Sequence, residues 1–347
     1  MTNVLIVGAG SIGNHLAQAV RRMDWKVTVC DRDKSALMRM HNDIYPMRYG
    51  AWDPEILLMQ TDGELPQGDF DIIMIGTPPD SHMTLALKAL KRRPKLVHIE
   101  KPLLTPKDDI NAFEQSCLDV FDTTMVTVGY DHAVAPSVTE SLKLVRNGML
   151  GKLGAVYART LEHWEGIFKA HPWLEGPHDS YLGYWERGGG ALCEHSHALH
   201  LGITFADAAG VEHLMLENHT RSMVRGEQGE RYDQLCTLVA IGNTDFALTV
   251  TQDVITKPTE KAVRVVGHKG VLDIALSVDC DTVILHKDGE ESVVKQFPKS
   301  RPDDFYALMK HYDALLSGEI RYQESPIHVD GGIVVMHIIQ ETFLSEM

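Results

Sequence analysis

The sequence predicts two domains of different class: a doubly wound α/β domain over residues 1–129, then an α+β domain with a largely antiparallel, open sheet over 130–347. Three observations carry this prediction. Short apolar runs alternate with helical periodicity through the first third of the chain, which implies parallel strands joined by right-handed crossovers. After about Tyr130 the alternation stops, and β-rich runs follow one another with only turn signals between them, the pattern of antiparallel pairing. Finally, 347 residues exceed what one hydrophobic core comfortably serves.

Residues 3–7 form the first β-rich run, residues 8–13 a glycine turn, and Ile12, Leu16, Ala19 and Val20 then recur at helical spacing. A second strand is predicted over 26–30 and a helix over 34–41. Residues 71–75, 96–99 and 125–128 are further apolar strands, separated by helical stretches over 81–91 and 107–121. In the second domain a helix over 137–146 is stopped by Asn147-Gly148 and Gly151. Strands are predicted over 153–162, 211–218, 234–241, 246–252, 262–266, 271–276 and 282–286. Helices over 193–205, 304–316 and 331–343 are expected to cover one face of their sheet, the final one being a candidate to pack back on the first domain.

Composition narrows the class of partner. Apolar residues at 44% and charged residues at 23% are ordinary for a soluble globular enzyme. The longest apolar runs are strand-sized, so no membrane association is expected. Met-Thr-Asn leads straight into a strand without a basic segment, and Cys30, Cys117, Cys193, Cys236 and Cys280 are scattered without metal-like spacing. A cytoplasmic setting is the expectation. The net charge of −15 argues against nucleic acid, whose phosphates select a basic face.

The residues with the clearest chemistry are Gly8-Ala9-Gly10-Ser11-Ile12-Gly13, of the form G-x-G-x-x-G. A strand precedes them and an amphipathic helix follows, the Rossmann context in which this hexapeptide binds dinucleotides. The first glycine allows the tight turn, the second lets backbone approach a pyrophosphate, and the third lets the helix pack on the strand. N–H groups around Ser11 and Ile12 then face the phosphates. Asp31, at the end of the second strand, can accept hydrogen bonds from both ribose hydroxyls and would repel a 2′-phosphate, favouring NAD. Arg32 follows directly and offers that phosphate a cation, which leaves NADP open. FAD is compatible with the fingerprint alone, but no second flavin motif is visible.

Two more segments lie just past strand ends, where open α/β sheets bind ligands. They are Gly76-Thr77-Pro78-Pro79-Asp80-Ser81-His82 and Glu100-Lys101-Pro102. With the glycine loop, and in this order, they resemble the Gfo/Idh/MocA oxidoreductases, the glucose-fructose oxidoreductase and inositol dehydrogenase type. The resemblance extends along the chain through Gly151-Lys152-Leu153-Gly154, Gly188-Gly189-Gly190 and Asp330-Gly331. It implies an NAD(P)-dependent oxidoreductase acting on CH–OH groups, with Thr77, Pro78, His82, Glu100 and Lys101 against the cofactor. It also makes Lys101 the active-site lysine. The chemistry is sound by itself, because a cation beside a substrate hydroxyl eases removal of its proton while hydride leaves the same carbon.

The partner group is expected in Gly188-Gly189-Gly190-Ala191-Leu192-Cys193-Glu194-His195-Ser196-His197-Ala198-Leu199-His200. Many family members carry Asp and, four residues on, His. Aligning His197 with that histidine puts Cys193 at the aspartate, and aligning Glu194 with the aspartate puts Ala198 at the histidine. A branch resembling sugar-nucleotide biosynthetic dehydrogenases has Glu-Leu-Ser-His-Glu-Leu-Asp, which Glu194, Ser196 and His197 match directly. His195, Ala198 and His200 depart from it. In this register His197 is the general acid/base, Glu194 a further catalytic residue, and Lys101 polarises the substrate oxygen, so the reacting carbon is expected between Lys101 and His197. On one continuous helix Cys193, His197 and His200 would share a face. No metal is expected, since two or three such donors need another ligand from elsewhere.

His163, Trp164, His171, Trp173, Tyr181, Tyr184, Trp185 and Arg187 are the candidates for the substrate pocket, since aromatic faces with polar tips suit a sugar ring. The expected substrate is a sugar, polyol or sugar nucleotide. A C=C or C=N reductase on the same scaffold and a non-catalytic NAD-dependent sensor are the alternatives. The resemblance further implies a homodimer or homotetramer formed through the open sheet face.

Overall fold

The computed structural model describes residues 1–242 and 245–344. Contacts divide the chain into two compact units: the first comprises Met1–Leu104, Asp108–Gly129 and Pro302–Val329, the second Thr105–Lys107, Tyr130–Arg301 and the segment from Asp330.

The first unit is built on a six-stranded, wholly parallel sheet of β1 (Asn3–Val7), β2 (Lys26–Asp31), β3 (Ile56–Gln60), β4 (Ile72–Ile75), β5 (Leu96–Ile99) and β6 (Met125–Val128), in the order β3-β2-β1-β4-β5-β6. The central strands are apolar from Val4 to Val7 in β1 and throughout β4 because helices cover both faces; Ile72 to Ile75 are all buried. Strand order reverses between β1 and β4, and the loops of the glycine motif and of Gly76 to Ser81 leave from the carboxyl ends of these two strands. β3 was not anticipated. Residues Ile56 to Met59 form an apolar run as long as that of β4, yet only Ile56 of this edge strand is buried, while Leu57 and Met59 are exposed. The helix expected over 34–41 is an α-helix over Lys34–Arg39 that passes through a π-helical stretch, Met40–Ile44, into a further helix, Tyr45–Tyr49.

The segment Pro302–Val329, assigned to the second domain from sequence, belongs to the first unit. Its helix Arg301–Ser317 places Phe305 flat on the buried ring of His15, with centroids 4.6 Å apart. Tyr312 reaches His98 Nδ1 at 2.6 Å, and Tyr322 donates to the Val126 carbonyl at 2.7 Å. The closing helix Val329–Leu344 lies in the second unit from Asp330 on, where Phe343 stacks on Trp185 and Gln340 donates to the Pro106 carbonyl. The last three residues expected in the second domain lie outside the described residues.

The second unit carries an eight-stranded mixed sheet. Its strands are β7 (Leu153–Leu161), β8 (Met215–Arg225), β9 (Arg231–Ile241), β10 (Ala247–Asp253), β11 (Glu260–Gly267), β12 (Gly270–Leu276), β13 (Cys280–His286) and β14 (Val293–Pro298). The order is β14-β13-β12-β11-β7-β10-β9-β8, antiparallel throughout except for β7 with β10. Burial alternates along these strands, as expected of a sheet with one covered face. β14 escaped prediction because nearly all of it is exposed and its residues show no alternation of apolar and polar side chains. Among the described residues, no helix is long and apolar enough to cross a membrane.

Candidate functional site

In the first unit the glycine fingerprint has the geometry its spacing predicts. Gly8 sits at φ +109°, and a side chain there would meet the Gly76 carbonyl; a Cβ on Gly13 would stand 2.0 Å from the Gly8 carbonyl oxygen. A Cβ on Gly10 would meet nothing within 4 Å, so the backbone is open at the one glycine through which a ligand must approach. Helix Ser11–Arg22 starts immediately after it. The Asp31 carboxylate lies beside this loop, one oxygen accepting from Ala9 N at 2.8 Å and the other from Asp33 N at 2.8 Å. Each carboxylate oxygen retains lone-pair capacity for a ribose hydroxyl. These features fit a dinucleotide. Arg32 is exposed, with its carbonyl 3.5 Å from Gln60 Nε2.

Thr77 shares a hydrogen bond with Ser81 at 2.7 Å, and Ser81 donates to the Pro78 carbonyl, so this loop is held in its turn; Pro78 itself is exposed. His82, expected to touch the cofactor, has no exposed surface and has a different task. Its Nε2 lies 2.8 Å from the Thr77 carbonyl and its Nδ1 2.9 Å from the Pro102 carbonyl, which ties together the loops after β4 and β5. Burial lowers its pKa, against the two carbonyls and Glu100, which favour the proton.

Glu100 is buried and braces Lys101 from below. One carboxylate oxygen is 3.2 Å from His98 Nε2, and the other accepts from the Lys101 backbone N–H at 3.3 Å. Its carboxyl lies so close to Gly129 that a Cβ there would stand 2.7 Å away. His98 Nδ1 meets Tyr312, to which Thr127 donates at 3.2 Å. Lys101 thus follows directly on a buried, hydrogen-bonded cluster of Glu100, His98, Tyr312 and Thr127. The sequence gives Glu100 and Lys101 through their motif, whereas Tyr312 is visible only once the fold brings its helix onto the sheet.

In the second unit the continuous helix expected over 193–205 is two helices, Ala191–Glu194 and His197–Ala208, broken at His195 and Ser196. The break removes the shared face on which Cys193 would join His197 and His200. Cys193 is buried on the first helix, and His200 is buried on the second with its ring 4.0 Å from that of Tyr130. The backbone at Gly190 has φ +85°, and a Cβ would stand 2.0 Å from Asp233 Oδ1. Only glycine lets the turn descend onto this buried aspartate, whose other oxygen accepts from Leu192 N at 2.8 Å and anchors the short helix. Burial raises the Asp233 pKa to about 6.

His197 opens its helix and faces two residues that sequence reasoning missed. Its Nδ1 is 3.8 Å from Asp131 Oδ1, and its ring centroid is 4.3 Å from that of His132. All three present donor atoms within 4.8 Å of one another, a set chemically suited to moving a proton and also of a kind that can hold a cation. The signal for Asp131-His132 was their position just past the end of β6, where polar residues break an apolar strand. Tyr130 stands edge-on to His197 and donates to Ser196 Oγ at 3.3 Å, fixing the start of the helix. Glu194 accepts from the Tyr181 hydroxyl at 3.1 Å. His195 turns away, toward the Glu162 carbonyl.

The proposed sugar-binding aromatics separate into two groups. Trp164 is buried in a cluster with Leu182, Ala191 and Val254 and stacks on Tyr232, and Trp185 is buried between Phe343 and Lys107. Both are core residues, which corrects their assignment. His163 accepts from Glu165 N, Tyr184 donates to the His178 carbonyl, and Arg187 is exposed with its guanidinium 5.8 Å from the Tyr184 ring. His163, Tyr181, Tyr184 and Arg187 all keep some exposed surface.

Comparison with known proteins agrees with this picture. Residues 2–127 match the Gfo/Idh/MocA family model, described as oxidoreductase family, NAD-binding Rossmann fold. No curated protein matches the chain. Solved structures with the same fold include a levoglucosan dehydrogenase in complex with NADH and levoglucosan (14% identity, TM-score 0.76, covering 99% of this chain and 96% of that one). An aldose-aldose oxidoreductase from Caulobacter crescentus complexed with glycerol is similar at 18% identity and TM-score 0.72, over 99% and 96% of the two chains. A 3-ketoreductase from Actinomadura kijaniata, in complex with TDP-benzene and NADP, is similar at 14% and 0.72, over 99% and 97%. The matched segment, residues 2–127, is the part of the chain that carries the glycine loop, the Asp31 carboxylate and the Glu100-Lys101 turn, and it is similar there to the NAD-binding Rossmann fold of the Gfo/Idh/MocA oxidoreductases.

Proposed function

We propose that the protein is an NAD(P)-dependent dehydrogenase that oxidises or forms a CH–OH group on a sugar, polyol or sugar nucleotide. The observation that carries this reading is the pairing of His197 with Asp131 and His132 in a chain whose other unit has a complete dinucleotide fingerprint. The bound nicotinamide supplies the hydride acceptor or donor. His197 takes the hydroxyl proton at a ring nitrogen, and the nearby Asp131 carboxylate favours the resulting imidazolium. Lys101, supported through Glu100, places a positive charge at the substrate oxygen. Glu194, with Tyr181, is assigned to the hydroxyls of the substrate, together with His163, Tyr184 and Arg187. Asp31 favours NAD over NADP. The bound ligands named for the similar structures, levoglucosan and glycerol, support a polyhydroxylated substrate.

Reduction of NAD and NADP by the purified protein over a panel of sugars, polyols and sugar nucleotides tests the reading, with turnover on at least one member and a preference for NAD expected. Cofactor binding without turnover on any member would move the protein to the sensor class. Activity only on C=C or C=N compounds would make it a reductase of another kind. We also propose a homodimer or homotetramer formed through the open face of the eight-stranded sheet. A monomer by light scattering at micromolar concentration would remove that part.

A further inference from the structure

The first side chain of helix Ser11–Arg22 is tied to a residue that the glycine fingerprint does not include. Arg48, on helix Tyr45–Tyr49, donates from one guanidinium nitrogen to the Ser11 carbonyl at 3.1 Å and to His15 Nε2 at 3.2 Å. The other terminal nitrogen donates to Ser11 Oγ at 2.9 Å. A guanidinium can only donate, so His15 Nε2 must accept, and its ring is neutral with the hydrogen on Nδ1, where it meets the Tyr49 hydroxyl. His15 is buried and stacked on Phe305, which fixes the ring. Three acceptors therefore hold the Arg48 fork in one place. Because Ser11 Oγ accepts from Arg48, its own hydrogen points away from the guanidinium.

We propose that Arg48 is a binding residue for the pyrophosphate of the dinucleotide, acting by its charge and by setting the Ser11 hydroxyl as a donor to a phosphate oxygen. The inference rests on the cofactor reading above. A pyrophosphate brings two negative charges to a loop that lies beside the Asp31 carboxylate, in a chain of net charge −15. The helix N-terminus offsets roughly half a charge. A fixed guanidinium one residue into that helix supplies more, and its planar fork spans the Ser11 carbonyl, Ser11 Oγ and His15, which a lysine ammonium would not do.

The test uses calorimetric titration of the full chain with NADH and with ADP-ribose, plus adenosine measured by displacement of NADH fluorescence. Arg48→Ala is expected to weaken NADH and ADP-ribose by about tenfold each, the scale of one charge-assisted hydrogen bond. Adenosine, which lacks the phosphates, should change less than about twofold. Arg48→Gln keeps a donor to Ser11 without the charge, and the same pattern is expected. Variants that bind NADH as the wild type does, or that lose adenosine as strongly as ADP-ribose, overturn the proposal, the latter because the loop itself would have shifted. A wild type that binds none of the three would refute the cofactor reading, a result separate from any difference between variants.

Discussion

The two units make their sites by opposite means. In the first, backbone does most of the work: Gly8, Gly10 and Gly13 matter for the side chains they lack, and Asp31 holds the loop through an amide. In the second, His197 acquires meaning only from Asp131 and His132, far away in sequence and brought to it by the fold. A backbone-built site is fixed by neighbours in sequence, whereas a side-chain site is assembled by the fold from residues distant in sequence.

The largest effect that would sharpen this contrast is on turnover. General acid–base groups contribute roughly a hundred- to ten-thousand-fold. His197→Ala and Lys101→Ala should each lower kcat by that much while leaving NADH affinity nearly unchanged. Removing both should cost less than the product of the single losses if they serve one proton transfer. Near-normal turnover in His197→Ala, with loss in Glu194→Ala, would move the acid/base to the other helix. That result would break the comparison.

A smaller effect separates the units by pH. In the first, burial lowers the His311 pKa to about 4 from its ordinary value of 6.5, so the folded state binds its proton less readily than the unfolded chain. Its contribution to stability is complete above pH 6.5 and lost as pH falls toward 4. In the second, Asp233 has its pKa raised from 3.8 to about 6 by burial, so the folded state binds the proton more readily. Its contribution is greatest below pH 3.8 and lost as pH rises through 6. Each is worth about 3 kcal/mol at most, at 1.36 kcal/mol per unit. Denaturant unfolding of wild type, His311→Gln and Asp233→Asn between pH 4 and 7 reads both. Relative to its variant, wild type should lose stability toward acid at His311 and toward neutrality at Asp233. Differences flat with pH would show that neither group titrates as burial dictates.

Legibility in the sequence follows the same division. The strands β1, β4, β5 and β6, buried along nearly their whole length, could be placed closely, whereas β3 and β14 lie at sheet edges with most of their residues exposed, so neither shows the periodicity of a buried strand. The glycine loop was readable because each glycine answers a steric demand set by its neighbours in sequence. Asp131, Arg48 and Tyr312 were not, since nothing about their spacing ties them to His197, Ser11 or His98. Trp164 and Trp185 were misread because a buried aromatic and a sugar-stacking aromatic have the same composition. The break after Glu194 was hidden by the apolar periodicity of Leu192, Ala198, Leu199 and Leu201, which runs across it.

The interleaving of the chain also sets an order of synthesis. The buried hydroxyl of Tyr312 completes the hydrogen bonding of His98 beneath Glu100, yet it lies on the segment Pro302–Val329. A ribosome must first make residues 130–301, all of the eight-stranded mixed sheet, before that helix emerges. At typical elongation rates the delay is roughly 10 to 30 s. During it the nascent parallel sheet has every strand but lacks part of its cover, and the apolar and polar groups that Phe305, Tyr312 and Tyr322 later seal stay open to water and to chaperones. The cell thus meets the first unit as an unfinished surface while about half of these 347 residues are being added.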